Sequence, residues 1–110
     1  MTNGENPMGK GQIEKTIKES LILVAYFSHE ACNVCKVLRP KVKALTETFD
    51  NVDFLYVNTH EQPELSGQHL IFAVPTVIVF VEGKEAKRFS RHFGLDELEA
   101  LLARYSEMAA

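Results

Sequence analysis

Apolar side chains recur along this chain in two rhythms, a helical one and a strand one. Ile13 and Ile17 stand four apart, the spacing of one helix face over about 12–20. The next segment, Leu21 to Phe27, is a continuous apolar run, as expected of a central strand covered on both faces. After a polar turn over 28–31, Val34, Val37, Leu38, Val42, Leu45 and Phe49 return at helical spacing from Cys32 onward. Pro40 lies inside that pattern, removes one hydrogen bond and should kink the helix. Asn51 reads as the stop, and 52–57 as a second strand. A strand reached through a crossover helix is expected to run parallel to the first.

The second half is patterned as clearly. The polar stretch 59–70 holds a short helix, with Pro63 near its start and Gly67 near its end. The apolar run 76–81, then Glu82-Gly83, then 84–90 reads as an antiparallel hairpin with a tight turn. Leu95, Leu98, Leu101, Leu102 and Tyr105 form the stripe of a last helix over about 95–107, with Asp96 and Glu97 in its first turn. The order α-β-α-β-α-β-β-α, without repeats or linkers, predicts an α/β fold: one sandwich with helices on both faces of a mixed four-stranded sheet. Residues 1–11, with Gly4, Pro7, Gly9 and Gly11, read as a loose tail before a domain at 12–110.

Composition narrows the function. A 110-residue chain supports one core. A net charge of −3 offers no basic surface for nucleic acid, and the longest apolar run is far too short to span a bilayer. The first twelve residues have no apolar segment of a secretory signal, so the expected location is the cytoplasm and the expected state a monomer. In that setting two cysteines are expected to be reactive or metal-binding and not a structural staple. A structural metal usually takes four ligands, and no second Cys-x-x-Cys or spaced His pair is present, so neither a metal nor another cofactor is expected.

Cys32 and Cys35 are the two cysteines, and they fall where a strand turns into a helix. That placement of a Cys-x-x-Cys is the signature of a thiol–disulfide redox centre. The helix N-terminus, with unpaired N–H groups and a favourable dipole, should make Cys32 more readily ionised than a free thiol. Cys32 is thus the expected nucleophile and Cys35, nearly one turn on, the expected resolving thiol. Asn33 and Val34, between them, should tune the redox poise. With no proline at 34, the Val34 N–H is free to reach Cys32. His29 reads as a solvated turn residue, and His60, His69 and His92 receive no role. Phe27, Phe49, Phe54, Phe72, Phe80 and Phe89 read as core, as do Tyr26 and Tyr56, each needing a partner for its hydroxyl.

Taken with Val74-Pro75-Thr76 and with Pro40 five residues beyond the second cysteine, this order resembles the thioredoxin family over roughly residues 12–107. The resemblance implies a thioredoxin-like fold whose leading edge strand is missing here, since nothing before Gln12 reads as a strand. It implies an oxidoreductase cycling Cys32 and Cys35 on protein disulfides, with a thioredoxin reductase or another thiol donor as partner. It also implies a cis Pro75 packed against the pair, with Val74 and Pro75 receiving substrate. The departures are specific. Members with full reductase activity usually carry Trp-Cys-Gly-Pro-Cys, where this chain has Ala31-Cys32-Asn33-Val34-Cys35 and no tryptophan. Their buried Asp corresponds to Tyr26 and its lysine partner to Tyr56. A tyrosine cannot accept a proton at neutral pH, which implies weak turnover. The competing reading is a non-catalytic binding module or redox sensor that uses the Val74–Pro75 groove.

Overall fold

The computed structural model describes residues 9–90 and 93–109, with the side chain of Val34 excepted. The elements are α1 (Lys10–Glu19), β1 (Ile22–Ser28), α2 (Asn33–Thr46), β2 (Val52–Asn58), α3 (Pro63–Gln68), β3 (Thr76–Val81), β4 (Lys84–Ser90) and α4 (Leu95–Ala109). Residues 1–8 of the expected tail lie outside the described residues, and Lys10 and Gly11 belong to α1.

The sheet order is β2-β1-β3-β4, with β1 parallel to β2 and antiparallel to β3, and β3 antiparallel to β4. Every residue of β1 is buried, as its unbroken apolar run requires of a strand with helices on both faces. Alternation divides those residues between two cores. Ile22, Val24 and Tyr26 point into one with Val42 of α2 and Leu98 and Leu102 of α4. Leu23, Ala25 and Phe27 point into the other with Ile13 and Ile17 of α1 and Leu65 of α3. Each such large side chain, once fully buried, contributes ~1.5–3 kcal/mol. His69 sits in the second core's margin, its ring 5.9 Å from Phe27 and 5.6 Å from Phe80, and burial lowers its pKa.

Local geometry follows the turn chemistry. Glu82 and Gly83 both have positive φ, the conformation that suits a two-residue hairpin. A Cβ on Gly83 would meet the Lys18 carbonyl at 3.2 Å, so α1 packs close against this turn. At the start of α4 the Glu97 carboxylate reaches back to the Gly94 N–H, at 3.1 Å. Helix α2 runs on through Pro40, whose missing N–H leaves the Lys36 carbonyl without its usual helical donor.

Helix α3 ends in a way its sequence hides. Ile71 N–H donates to the Ser66 carbonyl and Leu70 N–H to Gly67, the paired bonds that close many helices on a left-handed residue. The left-handed position, φ 57°, is occupied by Leu70 and not by glycine. Arg88 of β4 secures the bend: its guanidinium donates to the carbonyls of His69 and Leu70 and to both carboxylate oxygens of Glu85. A left-handed leucine costs about 1–2 kcal/mol, and a glycine's extra unfolded freedom takes back part of that. Leu70 is 59% exposed and packs little. Leu70→Gly is therefore expected to raise stability by about 0.5–1 kcal/mol, read as a higher thermal midpoint. A lower midpoint would show that the leucine's contacts outweigh its strain.

Candidate active site

Cys32 is the N-cap of α2, extended in backbone, one residue ahead of the helix that the sequence pattern starts at this cysteine. Its backbone N–H donates to the His29 carbonyl and its carbonyl accepts from Lys36, which closes the turn between β1 and α2. Cys35 lies within the first turn, and the two cysteines are joined as a disulfide with Cα atoms 5.2 Å apart. The pair is asymmetric. Cys35 is 2% exposed and packed in the core between β1, α2 and α4, whereas Cys32 is half-buried at its margin.

Cys35 N–H donates to Cys32 Sγ, at 3.2 Å. This is N-cap geometry: an N-cap side chain accepts from the second or third helical N–H, and Cys35 supplies the third. Negative charge on this sulfur would face the donor end of α2. Asn33 is exposed at the helix start.

Across the cluster lies the segment before β3. The Val74–Pro75 peptide bond is cis, Val74 packs on the same core as Cys32 and Cys35, and the Thr76 hydroxyl donates to the Ala73 carbonyl at 2.6 Å. The fold thus gathers Cys32, Cys35 and Val74 around one core. Phe72, expected inside, is 88% exposed two residues before Val74. It stands in the irregular link between α3 and β3, so neither strand alternation nor helix spacing turns its ring inward.

Tyr26 stands behind the pair, fully buried, and its hydroxyl donates to the Cys35 carbonyl at 3.0 Å. Burial pushes its pKa up to about 12, so the side chain stays neutral. Its register partner on β2 is Tyr56, whose hydroxyl donates to Glu30 at 3.0 Å. Arg39 completes this group, its guanidinium 4.1 Å over the Tyr56 ring and 3.5 Å from the Glu30 carboxylate. The Tyr56 hydrogen bond, and then Arg39, lower the Glu30 pKa. Burial and the Glu30 hydrogen bond push Tyr56 up to about 12. Each tyrosine thus has the partner its hydroxyl needs. Glu30 and Arg39 have no sequence signal of their own; they are found by asking what meets Tyr56.

His29 is half-buried and not solvated. Its ring stacks on His60 at 4.1 Å, and its Nδ1 is buried with no hydrogen-bond partner among the described residues. His92 lies outside the described residues. Among those residues no helix is long and apolar enough to cross a membrane.

A joined Cys-x-x-Cys at a helix N-terminus, beside a mixed sheet and a cis X–Pro segment, defines a thiol–disulfide redox domain. The thioredoxin family profile matches residues 8–104. The chain is 32% identical to the thioredoxin of Chlamydia trachomatis over 87 residues, which is 79% of this chain and 81% of that one. It is 29% identical over 92 residues to the thioredoxin-like protein YdfQ of Bacillus subtilis, covering 84% of this chain and 82% of that one. Among solved structures, thioredoxin 1 of Thermosipho africanus superposes with a TM-score of 0.73 at 36% identity, over 79% of this chain and 97% of that one. The chain belongs to the thioredoxin family. Its fold is the thioredoxin fold with four strands among the described residues, and its general activity is thiol–disulfide oxidoreduction.

Proposed function

We propose that the protein is a dithiol–disulfide oxidoreductase acting on protein disulfides, with Cys32 the attacking thiol and Cys35 the resolving one. The observation that carries this is the asymmetry of the joined pair: a half-buried cysteine at the helix N-terminus and a buried one beside it. Cys32, as thiolate, attacks one sulfur of a substrate disulfide and expels the other as a substrate thiolate. Cys35, after losing its proton, attacks Cys32 Sγ; the bond from Cys32 to the substrate breaks and the intramolecular disulfide forms. Two electrons pass to the substrate, whose second sulfur leaves as thiolate.

Val74 and Pro75 form the wall on which an extended substrate lies. Asn33 and Val34 set the poise of the pair, and the cycle is closed by a thioredoxin reductase or another thiol donor. The protein works as a monomer in the cytoplasm. Tyr26 is neutral and its hydroxyl donates a hydrogen bond to the Cys35 carbonyl, so water or another group takes the Cys35 proton and turnover is slower than with a buried carboxylate in its place. The exposed Phe72 favours a second reading, a module that binds a partner on this face without turnover.

Equilibration against a glutathione series, with trapping of free thiols, separates the two. A two-electron transition that joins Cys32 to Cys35 supports the oxidoreductase. A midpoint near about −270 mV marks a reductant, and one near about −120 mV an oxidant or sensor. If no intramolecular disulfide forms at any poise, the binding module replaces it.

A further inference from the structure

One side chain hydrogen-bonded behind the redox pair, Tyr26, has no task in the exchange reaction. Tyr26 is locked on every side. Its ring lies 6.2 Å from that of Phe54, Tyr56 stands beside it in register, and Arg39 caps Tyr56 while pairing with Glu30. From this fixed place its hydroxyl donates to the Cys35 carbonyl. A carbonyl has two lone pairs, so it takes this bond together with the helical one from Arg39.

The other bonds that close this turn are local. Cys32 N–H reaches His29, Lys36 N–H reaches Cys32, and Cys35 N–H reaches Cys32 Sγ. None of these ties the turn to the sheet. Two further hydrogen bonds run to the sheet: Tyr56 of β2 donates to Glu30 in the turn, and Tyr26 of β1 donates to the Cys35 carbonyl in the first turn of α2. Once Cys32 is bonded to a substrate sulfur the disulfide link is gone, and the Tyr26 bond is the described hydrogen bond that joins the Cys35 main chain, already packed in the core, to β1.

We propose that Tyr26 is a positioning residue for the resolving step, holding the first turn of α2 so that Cys35 Sγ stays aimed at Cys32 Sγ while the mixed disulfide exists. It acts through the Cys35 carbonyl and exchanges no proton. The proposal rests on the oxidoreductase reading above and adds a division of labour to it: attack by Cys32 needs the helix N-terminus alone, whereas resolution needs the anchor on β1.

The test uses the reduced full-length protein and an aromatic disulfide that releases a coloured thiolate. One thiolate appears when Cys32 attacks and a second when Cys35 resolves, so the two steps are read as two phases. In Tyr26→Phe the second phase is expected to slow about tenfold, the scale of one lost hydrogen bond, while the first keeps its wild-type rate. The ratio of wild-type to variant second-phase rates is expected to be the same at about pH 6.5 and about pH 8.5. Tyr26 and Tyr56, both pushed up to about 12, stay neutral in that interval and Glu30, held below its usual range, stays charged, while the Cys35 thiol beside Tyr26 must ionise in both proteins and so cancels in the ratio.

A second phase at the wild-type rate overturns the proposal. Equal slowing of both phases, or a variant that no longer folds, makes the hydroxyl a general stability element and overturns it as well. A ratio that changes with pH makes Tyr26 an acid or base and does the same. If the wild-type protein releases a single thiolate and keeps its adduct, the oxidoreductase reading falls and takes this proposal with it, an outcome distinct from the others.

Discussion

Cys35→Ser is expected to stop turnover and leave Cys32 covalently joined to its substrate. Half-buried Cys32, with its sulfur at the donor end of α2, keeps the first step. A serine hydroxyl at 35 cannot ionise near neutral pH, so the mixed disulfide has no internal attacker. Non-reducing mass analysis after exposure to glutathione disulfide should show a stable adduct of one glutathione per chain on Cys32. The wild-type protein should show the internal disulfide instead. Cys32→Ser should lose the first step too, because Cys35 is 2% exposed and a substrate disulfide cannot reach it. An adduct on Cys35, or turnover surviving in Cys32→Ser, would reverse the assigned roles.

Phe27→Ala is expected to produce the largest loss of stability, about 3–5 kcal/mol. Phe27 is wholly buried in the core beneath α1 and α3, with Leu65, Ile78 and Phe80 beside it. Truncation leaves a ring-sized cavity between the sheet and the helices α1 and α3, which relax only partly to fill it. Domains of this size are stable by about 5–15 kcal/mol, so the variant stays folded in the cold and melts early. Urea unfolding should give a lower midpoint with an unchanged slope. The cavity lies on the face of the sheet opposite Cys35, so the folded fraction should still form the Cys32–Cys35 disulfide. A shift below about 1 kcal/mol would mean that this face packs loosely.

Where short-range pattern decides structure, the sequence is legible. The run 21–27 carries its own strand, Cys-x-x-Cys its own cap, and Glu82-Gly83 its own turn, because each depends on neighbours within a few residues. What distant parts of the chain decide is hidden. Leu70 takes the left-handed position at the end of α3, where glycine is usual, because Arg88, eighteen residues on, holds the carbonyls around it. Glu30 carries no signal of its own until register places Tyr56 beside Tyr26 and Arg39 over the Tyr56 ring. Phe72 looks like core on hydrophobicity alone, yet it lies in a link with no period to aim it. The redox pair was readable because its function needs adjacency; the shell behind it was not, because it is assembled from β1, β2, α2 and a turn.

Strand β4 differs from β1 in composition and in place: β1 lies inside the sheet and β4 at its edge. Lys84, Glu85, Lys87 and Arg88 crowd it, most of it is exposed, and its pairing with β3 shifts register between Val79 and Phe80. Its outer row of N–H and C=O groups offers a template to any foreign strand. Charges of both signs along an irregular edge make that template a poor one, since an incoming chain would have to desolvate them and match the shifted register. Neutralising this row, for example by converting Lys84 and Lys87 to threonine, would leave the redox chemistry in place and expose the sheet to edge-to-edge aggregation.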